Sequence, residues 1–289
     1  MNLIKVFEKF PDQKACINHL ELARWGDTPV CPHCGSDRVA RKRENKRIGR
    51  WNCHGCKSSF NVLSKTIFQK TKIPLQKWFL GIAILLNAKK SVSSHQLSRD
   101  LELNQPSAWY MAMRIRKAMI EDPVFLNGIV EADETFVTTT GSRKHDDDDP
   151  PKRGRGTKKT PVIGAVARGG KVVAQPSDKV TAKTLKAFLQ RHVDGEDSVL
   201  ITDEFPAYRR MGEWVEHMTI NHAISYAEGL IWTNTIEGFW SLVKRAITGQ
   251  HHHYSKGHAA AYIVESCYKY NNSNNPNQFE DFLAGAVTV

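Results

Sequence analysis

Asp133, Asp203 and Glu237 are acids set in apolar, regularly spaced stretches, where a charge needs a reason. Gly128 to Val137 alternates as a strand, with Val130, Ala132 and Phe136 on one face and Glu131, Asp133 and Thr135 on the other. Ser198-Val-Leu-Ile-Thr-Asp203 is a short apolar run ending in an acid, which predicts a buried strand with Asp203 at its mouth. Glu237 belongs to a helical pattern over 232–248: Ile236, Phe239, Trp240, Val243 and Ile247 form an apolar stripe, and Asn234, Glu237, Ser241 and Lys244 line the opposite side. Carboxylates carried by two strands and a helix can converge at one end of a sheet. Few, hard oxygen ligands suit Mg²⁺ or Mn²⁺, leaving positions for water and substrate phosphate. Two such ions about 3.5–4 Å apart stabilise the attacking and leaving oxygens of an in-line phosphoryl displacement. The plainer alternative is an edge strand with a wet face, on which Glu131, Asp133 and Glu134 only solubilise.

A second cluster is Cys31-Pro-His-Cys34-Gly35 with Cys53-His-Gly-Cys56. Two C-x2-C pairs at the ends of a small hairpin ribbon offer four thiolates to a tetrahedral Zn²⁺ and leave no open position for catalysis, so the metal is structural. An iron centre and a redox dithiol are the competing uses of such pairs. Lys and Arg crowd the stretch between the pairs.

The elements that position these groups follow in order. Residues 1–26 form a helical segment, with Asp12 as a cap, and the zinc ribbon occupies 27–66. Residues 67–122 read as three helices: Leu75 to about Ala88, a second capped by Ser93 or Ser94, and a third opening at Gln105-Pro106, where proline suits the first turn. Short helix, tight turn and a basic helix carrying Trp109, Met113, Arg114, Arg116 and Lys117 predict a helix-turn-helix. Residues 126–289 read as a mixed α/β core: the strand bearing Asp133, a hairpin over Pro161–Gln175 turning at Arg168-Gly169-Gly170, a helix Ala182–His192, the strand ending at Asp203, a short helix with Tyr208 and Trp214, a strand His217–Asn221, and helices beyond. Within it, 138–160 loses apolar periodicity, combining Asp146 to Asp149 with a Lys/Arg block, and reads as a flexible loop.

The chain has 289 residues, 40% of them hydrophobic, and a formal charge of +11. That balance points to a polyanionic partner, nucleic acid first. The N-terminus lacks the pattern of a signal peptide and no apolar run approaches a membrane span, which predicts a cytoplasmic, nucleoid-associated prokaryotic protein with no membrane partner. Cysteine pairing suited to metal agrees with that compartment.

Glu131-Ala-Asp133-Glu134-Thr135, Thr202-Asp203-Glu204-Phe-Pro-Ala-Tyr208, and Asn234-Thr-Ile-Glu237-Gly-Phe-Trp240-Ser-Leu-Val-Lys244-Arg resemble the motifs of zinc-ribbon DDE transposases of bacterial insertion sequences. The ribbon and helical segment match that family's order, so the likeness covers nearly the whole chain. It implies an RNase H-like core and two catalytic Mg²⁺ or Mn²⁺ ions at Asp133, Asp203 and Glu237. It further implies cleavage and transfer of double-stranded DNA at terminal inverted repeats into a target, by a homodimer or larger assembly. The third acidic position stays open between Asn234 and Glu237, with Glu237 favoured because Lys244 lies on the same face, where it can meet a phosphate. In the competing reading Asn234-x-x-Glu237 is a capping box. His251 to His253 follow as phosphate contacts or an exposed polar turn. Tyr208 and Tyr254 lack the arginine cluster that a phosphotyrosine mechanism needs. The rival functions are a DNA-binding regulator with an inactive RNase H-like domain and a structure-specific nuclease.

Overall fold

Asp12 caps a helix as expected, its Oδ1 accepting from the Ala15 N–H at 2.7 Å, and α2 (Gln13–Trp25) follows α1 (Leu3–Lys9) directly. The computed structural model describes residues 2–42, 49–121, 124–139, 159–220 and 232–288. Most of the expected loop 138–160, including Asp146 to Asp149, lies outside the described residues, as do Asn221, His222 and part of the basic stretch between the cysteine pairs. The chain divides into two units, Met1–Met119 with Asn275–Val289, and Ile120–Asn274.

The first unit is helical around a small ribbon. Strands β1 (Val39–Arg41), β2 (Arg50–Cys53) and β3 (Ser59–Asn61) pair antiparallel in that order. Trp25 sets its ring edge-on to both Trp51 and Phe60, and Arg24 donates to the carbonyls of Val62 and Ser64, tying α2 to the ribbon. The helices α3 (Leu75–Asn87), α4 (Ser94–Asp100) and α5 (Gln105–Ala118) start where the sequence predicts, and α3 ends within a residue of its expected stop. Ser93 and Asn104 cap α4 and α5, and Glu102 turns between them in the left-handed region, φ 49°.

Two of the cations that make α5 a basic helix are used within the unit. Arg116 is buried, its Nη2 3.5 Å from Ser91 Oγ, and Arg114 donates to the carbonyls of Gln69 and Thr66. The reason is helical geometry: Arg116 follows Ala112 by four residues and shares the core-facing stripe of Ala108, Met111 and Ile115. The last helix, α9 (Gln278–Ala286), returns to this unit, where Phe279 packs near Phe10 and Phe79 and Glu280 accepts from Lys9 Nζ at 2.7 Å.

The second unit is a five-stranded sheet between helices. Strands β4 (Leu126–Val137), β5 (Thr160–Ala167) and β6 (Val172–Pro176) form an antiparallel meander, and β7 (Val193–Asp203) and β8 (Glu216–Ile220) add in parallel, giving the order β6-β5-β4-β7-β8. The first strand of the unit is therefore its centre, so the wet-edge reading of β4 does not hold. This strand order, antiparallel on one side of the first strand and parallel on the other, is the RNase H-like arrangement. One face packs Val130, Ala132, Ala165 and Leu200 under α6 (Ala182–His192); the other packs Val162, Val166 and Val172 under α7 (Asn234–Ala246) and α8 (Ala259–Asn271). Tyr208 and Trp214 lie on two short 3-10 turns. Among the described residues no helix is long and apolar enough to cross a membrane.

Candidate active site and metal centre

Register brings the first two acids together. In the parallel pairing of β4 with β7, Glu131 lies opposite Ile201, and two further residues along each strand set Asp133 level with Asp203. Side chains alternate, so both carboxylates emerge on the face covered by α7. That helix is held by its apolar stripe: Ile236, Phe239, Trp240 and Val243 are all buried against the sheet. With the stripe down, Glu237, Ser241 and Lys244 face a cleft of about 720 Å³ that they line with Asp133 and Asp203. The same space continues past Thr138 and Lys159. Asn234 is exposed and is not among the residues lining it.

Burial, then the negative charges of Glu134, Asp203 and Glu237, push the Asp133 carboxyl up to about 7. Desolvation and neighbouring like charges both disfavour its ionised form. Hydrogen bonds fix the other acids: the Phe205 N–H donates to Asp203 Oδ1 at 3.0 Å, and Thr233 Oγ1 to Glu237 Oε1 at 3.1 Å. The oxygen donors are of the type Mg²⁺ or Mn²⁺ takes, and a cation among them relieves the repulsion that perturbs Asp133.

The competing reading of Asn234 and Glu237 as a capping box does not hold, and the cap comes from the sheet instead. The helix opens one residue earlier, at Thr233, whose side chain makes no cap bond. Glu131, wholly buried on the central strand, supplies the acceptor instead: its Oε2 takes the N–H groups of Thr235 at 2.8 Å and Ile236 at 3.0 Å, and its Oε1 takes the Thr235 hydroxyl. Arg168, from the β5–β6 turn, closes the other side at 2.6 Å and stacks on Trp232, 3.8 Å from the ring centroid. A carboxylate at a helix N-terminus also complements the helix dipole. The sequence signal for this role was the alternation itself, since a charge two residues before Asp133 on a buried face must find partners.

Removing one member of a buried, hydrogen-bonded ion pair costs about 3–5 kcal/mol. Glu131→Gln is therefore expected to lower the melting temperature of the second unit by about 10 °C, read by circular dichroism; an unchanged midpoint would show that the cap is dispensable.

The tyrosines weighed as nucleophiles are held out of reach. Tyr208 is buried and donates to Glu134 Oε2 at 3.1 Å, and burial, then the Glu134, Asp133 and Asp203 charges, push its hydroxyl well above the usual range. Tyr254 is buried and stacked on Tyr262 at 4.6 Å. His251 packs on the same ring at 4.7 Å, after a π turn over Ile247–His251 ends α7, and none of His251 to His253 lines the cleft.

In the first unit, Cys31, Cys34, Cys53 and Cys56 gather their sulfurs within 4.8 Å of one another, with Sγ separations of 3.7 Å (Cys31 to Cys56) and 3.6 Å (Cys34 to Cys53). A tetrahedron of Zn–S bonds of about 2.3 Å has edges of about 3.8 Å, so the four thiolates fit Zn²⁺.

The sequence pattern described as ISXO2-like transposase domain matches residues 125–271, and that described as transposase zinc-ribbon domain matches residues 11–59. An uncharacterized protein in transposable element ISH50 of Halobacterium salinarum is 26% identical over 267 residues, covering 88% of this chain and 89% of its own. Among solved structures, a simian T-cell lymphotropic virus intasome in complex with PP2A regulatory subunit B56 gamma shares 15% identity over 64% of this chain and 66% of that one, TM-score 0.33. The Mos1 strand transfer complex shares 14% identity over 73% and 75%, TM-score 0.30. The fold assignment rests on strand order, not on those scores.

Proposed function

Because the chain belongs to the ISXO2-like transposase family, with a structural zinc ribbon ahead of its transposase domain, we propose that its cleft performs metal-dependent cleavage and transfer of DNA strands at the ends of its own element. The observation that carries this reading is the meeting of Asp133, Asp203 and Glu237 in one cleft. These three would hold two Mg²⁺ or Mn²⁺ ions, which when bound stabilise the attacking and leaving oxygens of an in-line displacement. Glu237 is the third acid in this reading, and Asn234, exposed at the helix start, contributes to the helix rather than the cleft chemistry. Lys244 and Arg245 on α7 line the cleft beside the acids, where a DNA phosphate would meet them. The ribbon and the α4–α5 pair recognise double-stranded DNA at the terminal inverted repeats, and two ends require at least two protomers.

The test is incubation of full-length protein with linear DNA carrying the element's terminal repeats and a target plasmid, in Mg²⁺ and in EDTA. Expected are nicks at the repeat boundaries and joined products in Mg²⁺ alone. Nicking without preference for the repeats would favour a structure-specific nuclease, and binding without nicking an inactive regulator.

A further inference from the structure

The indole of Trp240 sits where its chemistry is felt by the reacting centre. Trp240 is buried in the apolar stripe of α7, and for packing alone a phenyl ring would serve. Its Nε1–H, however, is aimed at Asp133 Oδ2, 3.1 Å away. The strand is shaped to allow this: Gly164 of β5 pairs directly with Asp133, and a Cβ there would stand 2.7 Å from Trp240 Cη2 and 2.8 Å from Cζ2. The missing side chain lets the six-membered ring lie over the strand while its N–H reaches across to the neighbouring acid.

Resting on the active-site reading above, we infer that Trp240 is a positioning residue for the catalytic cation: its N–H holds Asp133 by Oδ2, fixing the rotation of a carboxylate that lines the cleft. The contact runs in the same sense as the cap, with the donor on α7 and the acceptor a carboxylate of β4. Glu131 takes the N–H groups at the start of α7 and Asp133 takes the indole N–H further along it, so strand and helix are joined at two points on either side of Glu237. Partners that orient metal-binding carboxylates change metal affinity by about 10–100-fold when lost.

The test compares wild-type, Trp240→Phe and Asp133→Asn proteins, full length and zinc-loaded. Phenylalanine keeps an aromatic ring over Gly164 and deletes only the donor and part of the ring. Expected is a rise of about tenfold or more in the Mn²⁺ dissociation constant of Trp240→Phe, measured by titration without DNA, with zinc content unchanged. In the wild type, the Trp240 indole N–H resonance, assigned among the seven tryptophans by its through-space contacts within the wild-type protein, shifts as Mg²⁺ saturates the cleft. A folded Trp240→Phe protein with Mn²⁺ affinity within twofold of wild type overturns the inference. So does a wild-type resonance that ignores Mg²⁺, a result that stands even if the variant misfolds. Asp133→Asn separates the two levels: if it binds the cation as tightly as wild type, the acidic site itself is misassigned.

Discussion

Asp133→Asn is expected to remove Mg²⁺-dependent strand cleavage by about 10³-fold or more, because several kcal/mol of charge stabilisation disappear with the carboxylate. The same substitution should not harm the fold. Asp133 is pushed up to about 7 by burial and by its acidic neighbours, so in the cation-free protein its ionised form is a liability. The sign follows from linkage: the folded carboxyl is raised above its unfolded value of 3.8, so the native state binds more protons, and stability present at low pH is lost as pH rises through about 7. An uncharged amide escapes that loss. Cation-free Asp133→Asn should therefore melt at or above the wild-type temperature at pH 8, still bind the element's ends, and fail to cut. Asp203→Asn should behave alike in activity, its amide oxygen keeping the bond from the Phe205 N–H. Retained cleavage in either variant removes the assignment. The same proton competes with the cation, so the half-saturating Mg²⁺ concentration for wild-type cleavage should fall as pH is raised from 6 to 8.

Stripping zinc is the second large effect. The ribbon's strands are three or four residues long, and its buried cluster comprises Cys31, Cys53 and Phe60, flanked by Trp25, Val39 and Trp51. Strands that short are not independently stable. Metal binding must supply the folding free energy, about 10–16 kcal/mol for comparable thiolate and histidine sites. One zinc per chain is expected by atomic absorption. Chelation, or Cys53→Ser, should abolish hydrogen-exchange protection in β1–β3 and end-specific DNA binding, while protection in β4, β5 and β7 persists. A ribbon that stays protected without metal would show that the packing of Trp25 on Trp51 and Phe60 suffices.

What the sequence made legible is what local pattern encodes. The spacing of Ile236, Phe239, Trp240 and Val243 placed α7 and chose its buried face; the alternation through Asp133 and the run ending at Asp203 placed two strands; the cysteine pairs located the ribbon. Contacts between distant segments were not legible. Glu131 caps a helix more than a hundred residues away, in place of the capping box that the spacing of Asn234 and Glu237 allows. The N–H of Trp240 has no local partner in the sequence because its acceptor lies on β4, more than a hundred residues away, and Gly164 carries no signal until the ring is placed over it. Arg116 counted toward a basic helix because charge is read along the sequence, whereas burial is set by the neighbours the helix meets.

The return of α9 to the helical unit has a consequence for synthesis. Phe279 joins Phe10 and Phe79, residues from opposite ends of the chain, so the helical unit is a split one with the sheet unit inserted between its parts. A ribosome delivers all of Ile120–Asn274 before the last piece of the first unit exists. The sheet unit has its full sequence before the helical unit does, and the helical unit's core waits for α9. Truncation after residue 274 would leave the acids assembled and take from the helical unit the helix that closes its core.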